Sequence, residues 1–142
     1  MAYTIQAFIG DTADAKSAAP SGSLIVTLSQ SKALVPLTAS VRKEHGILFL
    51  PLTDDGSDKV PESVMVFASR AKKIAYIEAE FFGGDGTQAA AVWEDGRLIF
   101  GPVVGDDAIN QALRLLDVEK KEFFDEFEAL KLGRHRDTDE WK

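Results

Sequence analysis

Cysteine is absent from the chain, and histidine occurs only at two positions, His45 and His135. Without cysteine the protein cannot form disulfides, perform thiol chemistry or hold zinc or iron–sulfur clusters through thiolates. Because the two histidines lie far apart in the sequence, one chain cannot assemble a site of several histidine ligands. We therefore expect no metal site and no cofactor.

Long apolar segments are also missing. No hydrophobic run approaches the roughly 20 residues that a membrane-spanning helix needs. The first residues, MAYTIQAFIGDTADAK, lack the basic start and the long apolar run of a signal peptide. These features predict a cytoplasmic protein that does not associate with a membrane.

Basic residues are outnumbered by acidic ones, 16 against 23, which gives a formal net charge of -7. Nucleic-acid binding depends on clustered Lys and Arg that displace counterions from phosphates, so this balance argues against it. A basic protein is the partner that the charge favours, and the oligomeric state is left open. With 142 residues, of which 45% are hydrophobic, the chain can form a single globular domain over residues 1–142.

Residues 76–102, YIEAEFFGGDGTQAAAVWEDGRLIFGP, specify two consecutive hairpins and hence a three-strand meander. Asp95-Gly96 is typical of a type I′ turn, in which both central residues need positive φ. This turn predicts three opposed pairs: Glu94 with Arg97, Trp93 with Leu98, and Val92 with Ile99. Residues 83–86, Gly-Gly-Asp-Gly, are expected to form a four-residue loop that sets four further pairs: Phe82 with Thr87, Glu80 with Ala89, Glu78 with Ala91, and Tyr76 with Trp93.

Strand side chains alternate between the two faces of a sheet, so the meander has an apolar face and a mixed face. We interpret the face of Ile77, Ala79, Ala90, Val92 and Ile99 as core. The opposite face is an acidic aromatic patch, whose main members are Tyr76, Glu78, Glu80, Phe82 and Trp93. Burying an unpaired carboxylate costs several kcal/mol, so this patch is expected to face solvent, to be covered by a cationic group, or to form a site.

The remaining patterns predict a mixed set of elements. We expect strands at residues 3–9, 24–28 and 33–37, a loop at residues 10–22, and helices at residues 38–45, from 61 to about 73, from 107 to about 116, and 119–132 with Gly133 as its cap. The predicted fold class is α+β, with a mainly antiparallel sheet and helices packed chiefly on one face. Residues 133–142 are expected to dock as a C-terminal tail, because a frayed end rarely keeps a tryptophan such as Trp141.

Arg134, His135 and Arg136 form a compact basic cluster in this tail. Guanidinium groups match phosphate and carboxylate oxygens, so the cluster is a candidate for binding an oxyanion. Alternatively its arginines pair internally with Glu78 and Glu80. His135 is a candidate general base, although no Ser or Asp spacing supports a catalytic triad.

Four sequence segments resemble a group of small bacterial proteins: ALVPLT at residues 33–38, YIEAEFFGGDGTQAAAVW at 76–93, INQALRLLDV at 109–118 and FDEFEALKLGRHRDTDEW at 124–141. The resemblance implies a free-standing bacterial protein and assigns no catalytic residue. In size and charge alone, the chain is similar to bacterial immunity proteins that neutralise toxins.

Two functional hypotheses follow from these patterns. The first is a non-enzymatic binding protein whose acidic surface recognises a basic partner, for example as an immunity-type inhibitor of a basic toxin. The second is a small-molecule-binding protein or hydrolase that uses Glu78 and Glu80 with Arg134, His135 and Arg136. The first is favoured, because the sequence contains no nucleophile–base pair and no set of metal ligands. The two differ in whether the acids lie on an open surface or in a concave pocket.

Overall fold

The computed structural model of the protein describes residues 2–82 and 85–141. Within these residues, six strands form one antiparallel sheet in the order β2-β3-β1-β4-β5-β6. The strands are β1 (Ala2–Asp11), β2 (Val26–Thr27), β3 (Lys32–Pro36), β4 (Lys73–Phe82), β5 (Asp85–Glu94) and β6 (Arg97–Val104). The helices are α1 (Thr12–Ala18), α2 (Ala39–His45), α3 (Glu62–Ala68), α4 (Ala108–Leu115) and α5 (Glu126–Ala129), followed by 3-10 turns at Leu132–Arg134 and Thr138–Glu140.

The centre of the sheet is the long antiparallel pair of β1 and β4, which runs from Ala2 opposite Phe82 to Ile9 opposite Ala75. On its other side, only the second half of β1 pairs with β3, from Ala7 opposite Pro36 to Asp11 opposite Lys32. The first half of β1 therefore offers backbone groups that another part of the chain has to satisfy.

Both faces of the sheet are buried under separate hydrophobic clusters. The apolar side of β4, which carries Ile77 and Ala79, packs with α4, Leu130, Leu132 and Trp141. The opposite side, which carries Tyr76, packs with apolar residues of α1, α2, α3 and the connection between α2 and α3. Three helices share the Tyr76 face, whereas α4 packs on the Ile77 face, which we interpreted as core.

The meander is confirmed, and its registers correct two of our expectations. The Asp95-Gly96 turn pairs Glu94 with Arg97 and Trp93 with Leu98, as predicted. Val92 pairs with Phe100 and not with Ile99, because the pairing of β5 with β6 is irregular on both sides of Val92. Between β4 and β5, Phe82 pairs with Asp85 and Glu78 with Ala89, a shift of two residues that leaves the side chains on their predicted faces. Residues 83 and 84 of the expected loop lie outside the described residues.

Two predictions of secondary structure are wrong. The expected loop at residues 10–22 contains the end of β1 and the whole of α1. The expected helix at residues 119–132 is reduced to α5, because Lys121 and Lys131 adopt left-handed backbone conformations with φ of 52° and 57°. Gly133 consequently lies beyond the helix end, inside the 3-10 turn.

Two further elements are shorter than predicted: the strand at residues 24–28 is reduced to β2, and the helix from residue 61 ends at Ala68 because β4 already begins at Lys73. The signals at both ends of α2 are confirmed. Thr38 caps α2 by accepting a hydrogen bond from the amide of Val41, and Gly46 ends the helix in the left-handed conformation that glycine adopts without strain. The fold is α+β with a mainly antiparallel sheet. Among the described residues, no helix is both long enough and apolar enough to cross a membrane.

Candidate functional site

Glu78 is completely buried, with 0% of its surface exposed, beneath the long connection between α2 and α3. Its carboxylate accepts hydrogen bonds from the amides of Leu52 (3.1 Å) and Thr53 (2.9 Å) and from the Thr53 hydroxyl (3.1 Å). The Tyr76 hydroxyl donates a fourth, short bond of 2.5 Å. We call residues 46–61 the recognition loop, and Glu78 binds its middle section.

Gln6 on β1 binds the same loop at Leu48 and Leu50, just before the section that Glu78 binds. Its side-chain amide donates to the carbonyl of Leu48 (2.9 Å), and its side-chain oxygen accepts from the amide of Leu50 (3.2 Å). The same amide also donates to the Tyr76 hydroxyl (3.0 Å), so the three polar side chains form one buried network. We call Gln6, Tyr76 and Glu78 the anchor cluster.

The anchor cluster contains a carboxylate without a counter-ion, since no ion pair to Glu78 occurs among the described residues. Burial raises the pKa of the Glu78 carboxyl, while the hydrogen bonds from Tyr76, Thr53 and Leu52 act in the opposite direction. Burial, followed by the adjacent Glu78 charge, holds the pKa of the Tyr76 phenol well above its usual range. Backbone amides and hydroxyl groups therefore satisfy Glu78 in place of the cationic group that was one of our expectations. Because its side chain is fully enclosed, Glu78 cannot contact a substrate.

The outer side of the recognition loop is apolar and acidic. Leu48 and Phe49 are 56% and 42% exposed, although the residues on either side of this pair, Ile47 and Leu50, are buried. Leu50 adopts a positive φ of 43°, and its carbonyl accepts hydrogen bonds from the amides of Asp54 (2.9 Å) and Asp55 (3.3 Å). The side chains of Asp54, Asp55 and Asp58 are all exposed.

The C-terminal tail covers the free half of β1. The amide of Thr4 donates to the carbonyl of Arg136 (2.8 Å), and the amide of Gln6 donates to the Thr138 hydroxyl (3.1 Å). Trp141 is only 1% exposed and packs in the Ile77-face cluster. The tail thus supplies the acceptors that β3 does not reach.

The structure does not bring the predicted basic cluster to the predicted acids. The Arg134 guanidinium lies 5.2 Å from the Trp141 ring centroid, and the His135 ring lies 4.8 Å from it. Since Trp141 packs on the Ile77 face and Glu78 points to the other, the sheet separates the two groups. No ion pair joins Arg134, His135 or Arg136 to Glu78 or Glu80 within the part of the chain that is described.

The other members of the acidic aromatic patch have different environments. Tyr76 and Trp93 are buried, Glu80 is half-buried, and Phe82 is exposed at the end of β4. Trp93 lines a small apolar groove of about 230 Å³ with five other residues: Lys59, Val60, Met65, Leu98 and Pro102. The patch is therefore mostly an interior surface, which corrects the expectation that it faces solvent or forms an open site.

Sequence reasoning missed Gln6 and Thr53, the two further polar side chains of the anchor network. A signal for Gln6 exists, since it is a single polar residue within the apolar run of β1, Ile5-Gln6-Ala7-Phe8. A buried polar side chain needs hydrogen-bond partners, so its position indicates a polar contact across the sheet. No local pattern identifies Thr53 or the loop that carries it.

No group of three or more His, Asp or Glu side chains suited to a metal ion is found in the described ranges. Comparisons of the chain with protein-family models, with curated proteins and with solved structures gave no match.

Proposed function

We propose that this protein is a non-enzymatic binding protein that recognises a basic partner protein through the recognition loop. Neutralisation of a basic toxin is the most concrete form of this function. The observation that carries the proposal is the anchor cluster, in which a buried carboxylate and a buried amide fix a surface loop in one conformation.

The length of the recognition loop and its attachment to the sheet are unusual for a loop that only connects two helices. Loops longer than about 12–15 residues without secondary structure are uncommon in compact domains and are often functional. Residues 46–61 form such a loop, and buried side chains from two central strands hold its backbone. Fixing a loop before it binds reduces the ordering entropy that association would cost.

The chemistry of the exposed side chains indicates the kind of partner. Leu48 and Phe49 supply apolar contact area, and Asp54, Asp55 and Asp58 supply negative charge. Two cations oppose these three acids: Lys59 within the loop and Arg42, whose guanidinium lies 4.9 Å from the Phe49 ring centroid. The whole chain carries a net charge of -7, so a basic partner would be attracted over longer distances as well. Complementary charge raises the association rate and excludes acidic competitors.

The test begins with a photo-cross-linking amino acid at Leu48, introduced in cells of the source organism. The same label at Leu115, an exposed apolar residue on α4 on the opposite face of the sheet, serves as the control position. We expect a basic protein to be captured from Leu48 and not from Leu115. Capture of the same proteins at both positions, or of none, would argue against the proposal.

The captured protein is then purified, and its affinity is measured for two charge-reversal variants. Asp54→Lys with Asp55→Lys changes the loop, whereas Glu119→Lys with Glu122→Lys makes the same change in net charge elsewhere on the surface. We expect Kd to rise at least about tenfold for the loop variant and less than about twofold for the control. Equal effects would show that net charge alone controls binding and that the loop is not the interface.

A further inference from the structure

A second surface, independent of the recognition loop, lies between α5 and the following 3-10 turn. It is an open groove of about 440 Å³, lined by eight residues: Phe123, Phe124, Asp125, Phe127, Glu128, Lys131, Gly133 and Arg134. Sites for small molecules have volumes of roughly 300–1,000 Å³, so the groove is large enough for one. We call it the phenylalanine groove.

The apolar wall of the groove includes a side chain that the fold does not use. Phe124 is 83% exposed, more than any other large hydrophobic residue for which exposure is described. Phe127, by contrast, is held in place by an edge-to-face contact with Tyr3, with ring centroids 5.7 Å apart. An exposed apolar surface beside a fixed aromatic wall is typical of a ligand groove.

The charges around the groove differ from those of the chain as a whole. Asp125 is already engaged, since its two oxygens accept from the amide of Glu128 (2.9 Å) and the side-chain amide of Asn110 (3.2 Å). Lys131 and Arg134 make no ion pair or side-chain hydrogen bond within the described residues. The hydrogen bonds to Asp125 come from neutral amides and leave its charge in place, so Asp125 and Glu128 balance Lys131 and Arg134. The lining is therefore formally neutral within a chain of net charge -7, and its two cations keep their N–H donors for a ligand.

Local backbone geometry places these two residues at the rim. Lys131 takes a left-handed conformation, with φ of 57°, immediately after α5, and this turns the chain so that Leu132 is buried. The Tyr3 hydroxyl donates to the carbonyl of Leu132 (2.8 Å) and holds the turn against β1. Arg134 rests on the Trp141 ring by a cation–π contact, which leaves the N–H groups of its guanidinium free to donate.

We propose that the phenylalanine groove binds a small molecule with an apolar body and a carboxylate head. The apolar body lies along Phe123, Phe124 and Phe127, and the carboxylate accepts charge-assisted hydrogen bonds from Arg134 and Lys131. Gly133 contributes no side chain and leaves the space between wall and rim open. This binding requires neither the recognition loop nor a protein partner.

The test uses three probes at concentrations below their aggregation limits: decanoate, decylammonium and acetate. Isothermal titration calorimetry measures affinity, and backbone amide chemical shifts locate the site. We expect decanoate to bind with shifts centred on residues 123–134, decylammonium to bind at least about tenfold more weakly, and acetate not to bind measurably. Non-specific attraction to a chain of net charge -7 would favour decylammonium, and that result would overturn the proposal.

Two matched variants separate the groove from general charge effects. Arg134→Gln removes a cation at the rim, and Arg136→Gln removes an exposed neighbouring cation that does not line the groove. We expect Arg134→Gln to weaken decanoate binding at least about fivefold and Arg136→Gln to change it less than about twofold. Equal losses in both variants, or unchanged binding in Phe124→Ser, would overturn the assignment of the site. Neither result affects the proposed recognition of a basic protein.

Discussion

The two faces of the central sheet use charged side chains in opposite ways. On the Tyr76 face, Glu78 is fully enclosed, and the backbone of the recognition loop and nearby hydroxyls satisfy its carboxylate. On the Ile77 face, Arg134 stacks on buried Trp141 but keeps its guanidinium at the surface. A charged side chain within a central strand is thus engaged in binding another segment of the chain, whereas a charged side chain on a surface turn stays available to a ligand.

The difference follows from where each residue lies in the chain. Glu78 is in the middle of β4, between β1 and β5, so its side chain must enter whichever layer covers that face. A buried carboxylate needs several donors, and a loop whose amides point inward supplies them. Arg134 lies in a 3-10 turn outside the sheet, and its side chain is exposed.

The largest expected effect tests the Ile77 face. Trp141→Ala should lower the free energy of unfolding by about 3–5 kcal/mol, because it removes a large buried ring from the core cluster. Urea denaturation measures the change, and Glu140→Gln, an exposed neighbour, should cost less than about 0.5 kcal/mol. A cost below about 1 kcal/mol for Trp141→Ala would mean that the tail is not docked in solution.

The next effect tests the Tyr76 face. Glu78→Ala should lower the free energy of unfolding by about 2–3 kcal/mol, because it leaves the amides of Leu52 and Thr53 and the Tyr76 hydroxyl without their acceptor. Native-state hydrogen exchange should show faster exchange at Leu52 and Thr53 while the β1 amides stay protected.

Glu80→Ala is the matched control for this substitution. Glu80 lies on the same strand and the same face but is half-buried, and its side chain accepts no hydrogen bond from a described residue. Its removal should cost less than about 1 kcal/mol and leave the exchange of the recognition loop unchanged. If the two variants behave alike, Glu78 does not anchor the loop.

A smaller effect concerns pH. Because burial raises the pKa of Glu78 above its ordinary value of 4.5, the folded protein binds this proton more tightly than the unfolded chain does. The contribution of Glu78 to stability is therefore fully present below about pH 4.5 and declines as pH rises through the folded-state pKa. The free energy of unfolding of the wild type minus that of Glu78→Gln should fall with rising pH over this window. Urea denaturation at a series of pH values measures it, and a constant or rising difference would contradict the raised pKa.

Short-range signals predicted the local parts of the fold. Thr38 and Gly46 bound α2 through a side-chain cap and a left-handed residue, and Asp95-Gly96 forms its turn with φ of 52° and 79°. Each of these depends only on neighbours in the sequence. The α+β class with a mainly antiparallel sheet follows from several such elements taken together.

The errors arose where distant parts of the chain decide the structure. Helical periodicity at residues 119–132 could not show that Lys121 and Lys131 break the helix. Alternation placed Glu78 on the correct face, but nothing local indicated that the recognition loop would cover it. The contact between β4 and a loop that precedes α3 depends on tertiary packing. The pattern of residues along one strand carries no information about such packing.

The smallest expected effect compares two aromatic side chains of the groove, one that is exposed and one that packs against the core. Phe124→Ser should change the free energy of unfolding by less than about 0.5 kcal/mol, because the ring is 83% exposed and contributes little to the core. Phe127→Ser should cost considerably more, since Phe127 packs against the core cluster and contacts Tyr3. Urea denaturation compares the two variants directly. If Phe124→Ser proves as costly as Phe127→Ser, the exposed ring serves the fold after all, and its place on the wall of the phenylalanine groove needs no ligand to explain it.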